Sequence, residues 1–238
     1  MRETRRKVNV LKHIAFIMDG NRRWAKKRFL PTFQGHRKGY QKVKEVAEWC
    51  IGIGVEVLTV YAFSTENWKR PQVEKSYLMD LVRYALRDDI ENYIKQGIKI
   101  RVIGQRKRLP RDIQELIEEV EEKTKGNTRL VLHIALSYGG RAEIIESVRE
   151  MYARVARKEI DIAALDEDEI SRHLWTRGAP DPDLVVRTGG ETRLSNFLTW
   201  QSAYSELYFT KTLWPSFTKK EFEDVVEDYY HRKRNFGS

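Results

Sequence analysis

Asp19 sits in a stretch whose residue types could do chemistry together, His13-Ile14-Ala15-Phe16-Ile17-Met18-Asp19-Gly20-Asn21-Arg22-Arg23-Trp24-Ala25-Lys26-Lys27. A carboxylate among these cations repels the anions they would bind, unless a divalent cation lies between. Magnesium suits that place, because it takes one or two carboxylates and completes its shell with phosphate oxygens and water. The plainer use of Asp19 is as a helix cap or an arginine partner. A second set, Arg187, Gly189-Gly190, Arg193 and Ser195, has the make-up of a phosphate cradle. Its glycines admit a close backbone approach, its arginines grip phosphate through paired N–H groups, and its hydroxyl adds a donor. The alternative is a solvated loop. A third set, Ser64, Glu66, Asn67, Trp68 and Arg70, offers neutral groups that could orient a reacting proton beside an indole wall, or else a capped loop. His36, after Gln34-Gly35, could bind phosphate or act as an acid, against a structural role at a helix start; His13 and His133 read as structural.

Each set follows an apolar run. Ile14 to Met18 shows no alternation, which predicts a strand buried on both faces, as in parallel sheets covered by helices. Val55 to Phe63 predicts a second strand, Ile98 to Ile103 a third, and Leu130 to Ala135 a fourth that leads to Ser137-Tyr138-Gly139-Gly140-Arg141. Asp183 to Val186 is the fifth and Glu206 to Phe209 the last. Helices are predicted over His36 to Ile51, Ser76 to Gln96, Pro110 to Lys125, Arg141 to about Arg157, Asp166 to Trp175, and from a Thr218 cap to about His231. The helix from Ser76 has a broad oily face, and Asp88-Asp89-Ile90-Glu91-Asn92 within it reads as solvated. The fold class is therefore α/β, a mostly parallel central sheet of about six strands flanked by helices, in one domain over 1–238, with ligands at the carboxyl ends of the strands.

A net charge of +9 favours polyanionic partners: nucleic acid, an acidic membrane surface or phosphorylated small molecules. Nucleic acid needs a contiguous basic stripe interleaved with exposed aromatics, whereas these cations cluster at strand ends. Cys50 is the sole cysteine, which excludes an internal disulfide and suits a cytoplasmic location. The first twelve residues have cations but no apolar run after them, so no secretory signal is expected. Nowhere do eighteen apolar residues run uninterrupted, which excludes an ordinary transmembrane helix and leaves peripheral membrane contact open.

Together these segments resemble the cis-prenyltransferase family, whose best-known type is undecaprenyl diphosphate synthase. The resemblance rests on His13 to Asn21 with Arg23-Trp24-Ala25, on Gly35-His36, on Tyr61 to Pro71, on Tyr138-Gly139-Gly140-Arg141, on Asp183 to Glu191, and on Glu206-Leu207-Tyr208-Phe209 with Leu213-Trp214-Pro215. It implies a non-Rossmann parallel sheet, a homodimer, and Mg2+-dependent addition of isopentenyl diphosphate to an allylic diphosphate primer, farnesyl or geranylgeranyl diphosphate. Each new double bond is cis, and the long-chain product is a glycosyl carrier lipid. Carried over, Asp19 handles magnesium and the departing diphosphate, with Gly20, Asn21, Arg22, Arg23, His36 and Arg70 around the primer phosphates. Arg187, Arg193, Leu194 and Ser195 hold isopentenyl diphosphate, Glu206 is a further metal ligand, and Asn67 lies near the proton lost, beside Ser64, Thr65 and Glu66. Trp24, Phe63, Trp68 and the oily helix line the tunnel for the growing chain, with Leu130 and Leu132 at its closed end, and the tail Arg232 to Ser238 closes over a partner's site.

The sequence departs from the bacterial pattern at Thr32, Thr192, Ser216 and Asn235, where arginine, histidine, an acid and arginine are usual, and Arg22 stands where a glycine is common. The aspartates at 88 and 89 resemble the box of the all-α trans-prenyltransferases, but the fifth position is Asn92 and no second box exists. A catalytically silent partner subunit is the rival reading, and retention of Asp19, Asn67 and both cradle arginines argues against it.

Overall fold

In the computed structural model, which describes residues 10–232, β1 (His13–Ile17) lies between β2 (Val57–Ser64) and β5 (Leu184–Arg187). Beyond β2 come β4 (Leu130–Tyr138) and then β3 (Ile98–Ile103); beyond β5 comes β6 (Glu206–Phe209). All five pairings are parallel. The absence of alternation in β1 has a direct cause: Ile14 and Phe16 face one core while Ala15 and Ile17 face another. The larger core lies under α2 (Thr32–Gly52), α3 (Gln72–Arg87), α5 (Arg111–Thr124) and α8 (Lys219–His231). The second packs Tyr138, Phe197 and Leu198 against the opposite face, near α6 (Gly140–Ala156) and α7 (Glu167–His173).

The chain builds from β1 through β2 to β3 and β4, then returns to β1's other side as β5 and β6. That reversal leaves a crevice at the carboxyl ends of β1 and β5, where open α/β sheets bind ligands. The short α1 (Asn21–Lys26) starts there and crosses α2 closely: a Cβ on Gly35 would lie 2.1 Å from the Asn21 carbonyl oxygen, so glycine is required. Thr218 caps α8 as expected, accepting from the Glu221 amide while Glu221 accepts from the Thr218 amide.

The oily helix is not continuous. It ends at Arg87, and α4 (Ile90–Gln96) starts after Asp88-Asp89. Nor is that segment wholly solvated: Asp89 is 9% exposed, accepts from the Tyr40 hydroxyl, and pairs with Lys44 at 3.1 Å. A buried carboxylate without partners costs more than an interrupted turn, so the helix yields there. The structural reading of two histidines fits their surroundings. His13 hydrogen-bonds Thr59 Oγ1 and the Pro180 carbonyl, each at 2.7 Å, and burial lowers His13 to about 4 and His133 to about 3, keeping both neutral.

Candidate active site

Asp19 follows β1 by two residues, and its carboxylate is held by guanidiniums from two elements. Arg23 of α1 lies 3.0 Å from Oδ1, and Arg187, the last residue of β5, 3.0 Å from Oδ2. The backbone is fixed as firmly: the Asp19 carbonyl accepts from the Thr188 hydroxyl at 2.8 Å and the Trp214 amide at 3.0 Å. At Gly189, φ is +90°, and a Cβ would stand 2.7 Å from Arg23 Nη2 and 3.0 Å from the Asp19 backbone. Only glycine meets both demands without strain. Gly20, at φ +113°, abuts Leu213 in the same way.

Arg187 is 5% exposed, and its Nη1 donates to Ser195 Oγ at 2.7 Å and to the Arg193 carbonyl. Its Nε is buried without a hydrogen-bond partner. Arg187 and Ser195 therefore meet as the sequence suggests, while the Arg193 guanidinium points outward to Glu191. Leu194 packs against the second core. Sequence reasoning missed Asn196, which joins three strand ends: its carbonyl accepts from the Gly140 amide at 2.7 Å, its Oδ1 from the Arg141 amide at 2.9 Å, and its Nδ2 donates to Glu66 at 3.0 Å. Asn196 has φ +65°, a conformation asparagine tolerates better than most residues, and that is the signal its place in a Gly/Ser loop carried.

In the third set Ser64 and Asn67 form a capping box, with Asn67 Oδ1 accepting from the Ser64 amide at 3.1 Å. Thr65 donates to Glu66 at 3.1 Å. Arg70, with Asp19, Gly20, Asn21, Arg22, Arg23 and His36, lines one cleft of about 750 Å³. Thr32, where an arginine is usual, also lines it. Glu74, also missed, organises this side: it pairs with Arg70 at 3.0 Å and lies 3.8 Å from both Arg22 and His36 Nε2. Its signal was the i,i+4 spacing from Arg70. Burial, then the Arg70 charge, lowers His36 to about 4, so it is neutral at pH 7 and not a ready acid. His36 Nε2 and Asn21 Oδ1 are buried polar atoms without hydrogen-bond partners.

Asn21, His36 and Met18 also line a second space, a narrow apolar tunnel of about 100 Å³ between α2, α3 and the sheet. Phe63, Leu78, Val82 and Leu132 line it. Trp24 does not, since its indole donates to Ser216 Oγ at 2.9 Å and its ring lies under Arg28. Trp68 packs behind Phe63 and donates to Ser137 Oγ at 2.9 Å, and Leu130 is buried outside the lining.

Glu206 stands apart. The register sets it level with Leu184 and Ile14, at the amino end of the sheet, and Arg232 holds it at 2.9 Å. Among the described residues no group of three His, Cys, Asp or Glu side chains is placed to hold a metal. Asp19 fits magnesium in another way: a partly exposed single carboxylate in a cationic cleft suits an ion whose other ligands are phosphate oxygens and water. Of the tail, Arg232 also pairs with Asp228; Lys233 to Ser238, with Asn235, lie outside the described residues.

The family model for undecaprenyl diphosphate synthase matches residues 17–237. The chain is 45% identical to an isoprenyl transferase of Clostridium tetani over 96% of its own length and 90% of the relative's, and 45% identical to one of Thermotoga maritima over 97% and 98%. A lavandulyl diphosphate synthase of Lavandula x intermedia, solved in complex with dimethylallyl diphosphate, superposes with a TM-score of 0.92 at 34% identity, covering 96% of this chain and 99% of that one. A probable undecaprenyl diphosphate synthase of Campylobacter jejuni superposes at 0.80 with 38% identity, covering 97% and 100%. With two arginine-lined cradles meeting at Asp19 above an apolar tunnel, and these matches spanning nearly its whole length, the chain belongs to the undecaprenyl diphosphate synthase family and is a cis-prenyltransferase.

Proposed function

We propose that the chain extends farnesyl or geranylgeranyl diphosphate by repeated addition of isopentenyl diphosphate, giving a long-chain polyprenyl diphosphate used as a glycosyl carrier lipid. One observation carries this reading: the cationic cleft and the apolar tunnel share Met18, Asn21 and His36, so a molecule with a diphosphate head and a hydrocarbon tail fits across the junction. The primer diphosphate lies among Gly20, Asn21, Arg22, Arg23 and Arg70, and isopentenyl diphosphate against Arg187, Arg193 and Ser195. The allylic carbon–oxygen bond breaks with its electron pair leaving on the diphosphate. The allylic carbon bonds the terminal alkene carbon, and a proton leaves near Asn67 to restore a double bond. Asp19 would hold magnesium, which when bound would neutralise the charge developing on the leaving group. The dimethylallyl diphosphate bound by the lavender relative supports an allylic diphosphate here.

Glu206 is too far along the sheet to share a metal with Asp19 of its own chain, so a metal role for it requires a second copy. A homodimer is supported by the stripe Ile145, Val148 and Tyr152, each at least half exposed on α6. Peripheral membrane contact is supported by Phe29, 98% exposed in a left-handed conformation beside Lys26, Lys27 and Arg28 at the cleft mouth. A monomer by light scattering, or no sedimentation with anionic vesicles, would remove the respective element.

Incubation with magnesium, isopentenyl diphosphate and geranyl, farnesyl or geranylgeranyl diphosphate, with products sized by mass spectrometry, tests the reading. The expected result is a ladder spaced by five-carbon units, strongest from the two longer primers. A single addition from every primer would refute the long-chain assignment.

A further inference from the structure

Leu78, Val82 and Leu86 line the tunnel along α3, which starts at the cleft beside Arg70 and ends at Arg87, and Tyr40 and Tyr93 complete the lining. There its wall changes character. The Tyr40 and Tyr93 hydroxyls are 3.1 Å apart, Tyr40 donates to Asp89, and Asp89 pairs with Lys44 at 3.1 and 3.3 Å. Lys44 also stands 5.3 Å over the Tyr40 ring, and Tyr84 meets that ring edge-on at 6.0 Å. Asp89 occupies the break between α3 and α4, while Tyr40 and Lys44 both belong to α2. The cluster therefore does two things at once. It places two hydrogen-bonded tyrosines in the wall of an apolar tunnel, and it ties the lower end of α3 to α2.

The size of the tunnel gives the cluster its importance. An engineered cavity of about 150 Å³ holds one benzene, so the ~100 Å³ here takes about one prenyl unit. A growing chain must part α2 from α3 as it descends, and the parting reaches Asp89, whose pairing with Tyr40 and Lys44 joins the end of α3 to α2. Continuing past it would separate Tyr40 and Lys44 from Asp89 and leave that carboxylate in an apolar environment, which is costly. An apolar floor, by contrast, resists only by shape.

We propose that the Tyr40–Asp89–Lys44 latch, with Tyr93, closes the tunnel and sets the length at which elongation stops; the proposal rests on the elongation reading above. Tyr40 and Tyr93 meet the chain end, and Asp89 and Lys44 act through them as positioning residues. Two substitutions separate hydrogen bonding and charge from bulk. Tyr40→Phe keeps the ring and removes the hydroxyl, and Lys44→Met removes the charge from a side chain outside the tunnel lining. Wild type and both variants are incubated with isopentenyl diphosphate, magnesium and farnesyl diphosphate, products are sized by mass spectrometry, and folding is checked by thermal melting. The longest product is expected to grow by at least one five-carbon unit in both variants, with the initial rate of Lys44→Met unchanged. If Tyr40→Phe fails to fold, Lys44→Met alone decides. Elongation with one product distribution in every folded protein overturns the latch and leaves the function standing. No elongation by the wild type overturns both.

Discussion

Replacing Asp19 with asparagine is expected to lower kcat about 100-fold or more, while KM for either substrate moves by no more than a few-fold. The asymmetry follows from what the side chain does. Asparagine keeps the shape, and the bonds from Thr188 and Trp214 end on the Asp19 carbonyl, which the substitution leaves in place. Ground-state binding draws on arginines that also remain. What disappears is the negative charge that holds Arg23 and Arg187 at 3.0 Å and can recruit a divalent cation beside the leaving diphosphate. Steady-state kinetics at saturating magnesium make the comparison, and an unimpaired kcat would mean that Asp19 only braces arginines.

Gly189→Ala should cost about as much without removing a charged group. Its φ of +90° penalises a Cβ, and that Cβ would press on Arg23 Nη2 at 2.7 Å and on the Asp19 backbone at 3.0 Å. The conformational penalty is about 1–2 kcal/mol of stability. Displacing Asp19 by about 1 Å is enough for a loss on the order of 100-fold in kcat. Gly52→Ala is the matched control, because its Cβ would meet nothing within 4 Å. Thermal melting with kcat distinguishes the outcomes, and full activity in Gly189→Ala would show that the close approach of the two loops is not needed for turnover.

The parts of the fold legible in the sequence share a physical basis. Two-sided burial erases alternation, so β1 and its polar outflow are visible in Ile14 to Asp19, and Thr218 marks the start of α8. The break at Asp88-Asp89 was not legible, because the groups that draw Asp89 inward, Tyr40 and Lys44, lie more than forty residues away. The same holds for the indoles. Trp24 and Trp68 had the composition of tunnel walls, yet their N–H groups are satisfied by Ser216 and Ser137, and those contacts turn the rings aside. Glu74 and Asn196 were passed over because a motif displays the groups that could touch a ligand, not those that hold them still. Glu206 illustrates the limit from the other side: a strand's register, not its residue type, decides which end of the sheet a carboxylate serves.

On the proposed reading, two separate cradles, one for each diphosphate, meet at Asp19. Arg70, anchored by Glu74 at 3.0 Å, lies in the cleft with Asn21 and His36, and Arg193 lies on the loop after β5, paired with Glu191 at 2.5 Å. Removing one charge-assisted phosphate contact costs about 1.5–3 kcal/mol, roughly 10- to 150-fold. The most direct measurement is therefore KM for both substrates in Arg70→Ala and Arg193→Ala side by side. The predicted result is a crossed pattern, in which Arg70→Ala raises KM mainly for the allylic primer and Arg193→Ala mainly for isopentenyl diphosphate. Equal effects on both substrates in both variants would contradict the division and with it the assignment of the two sites.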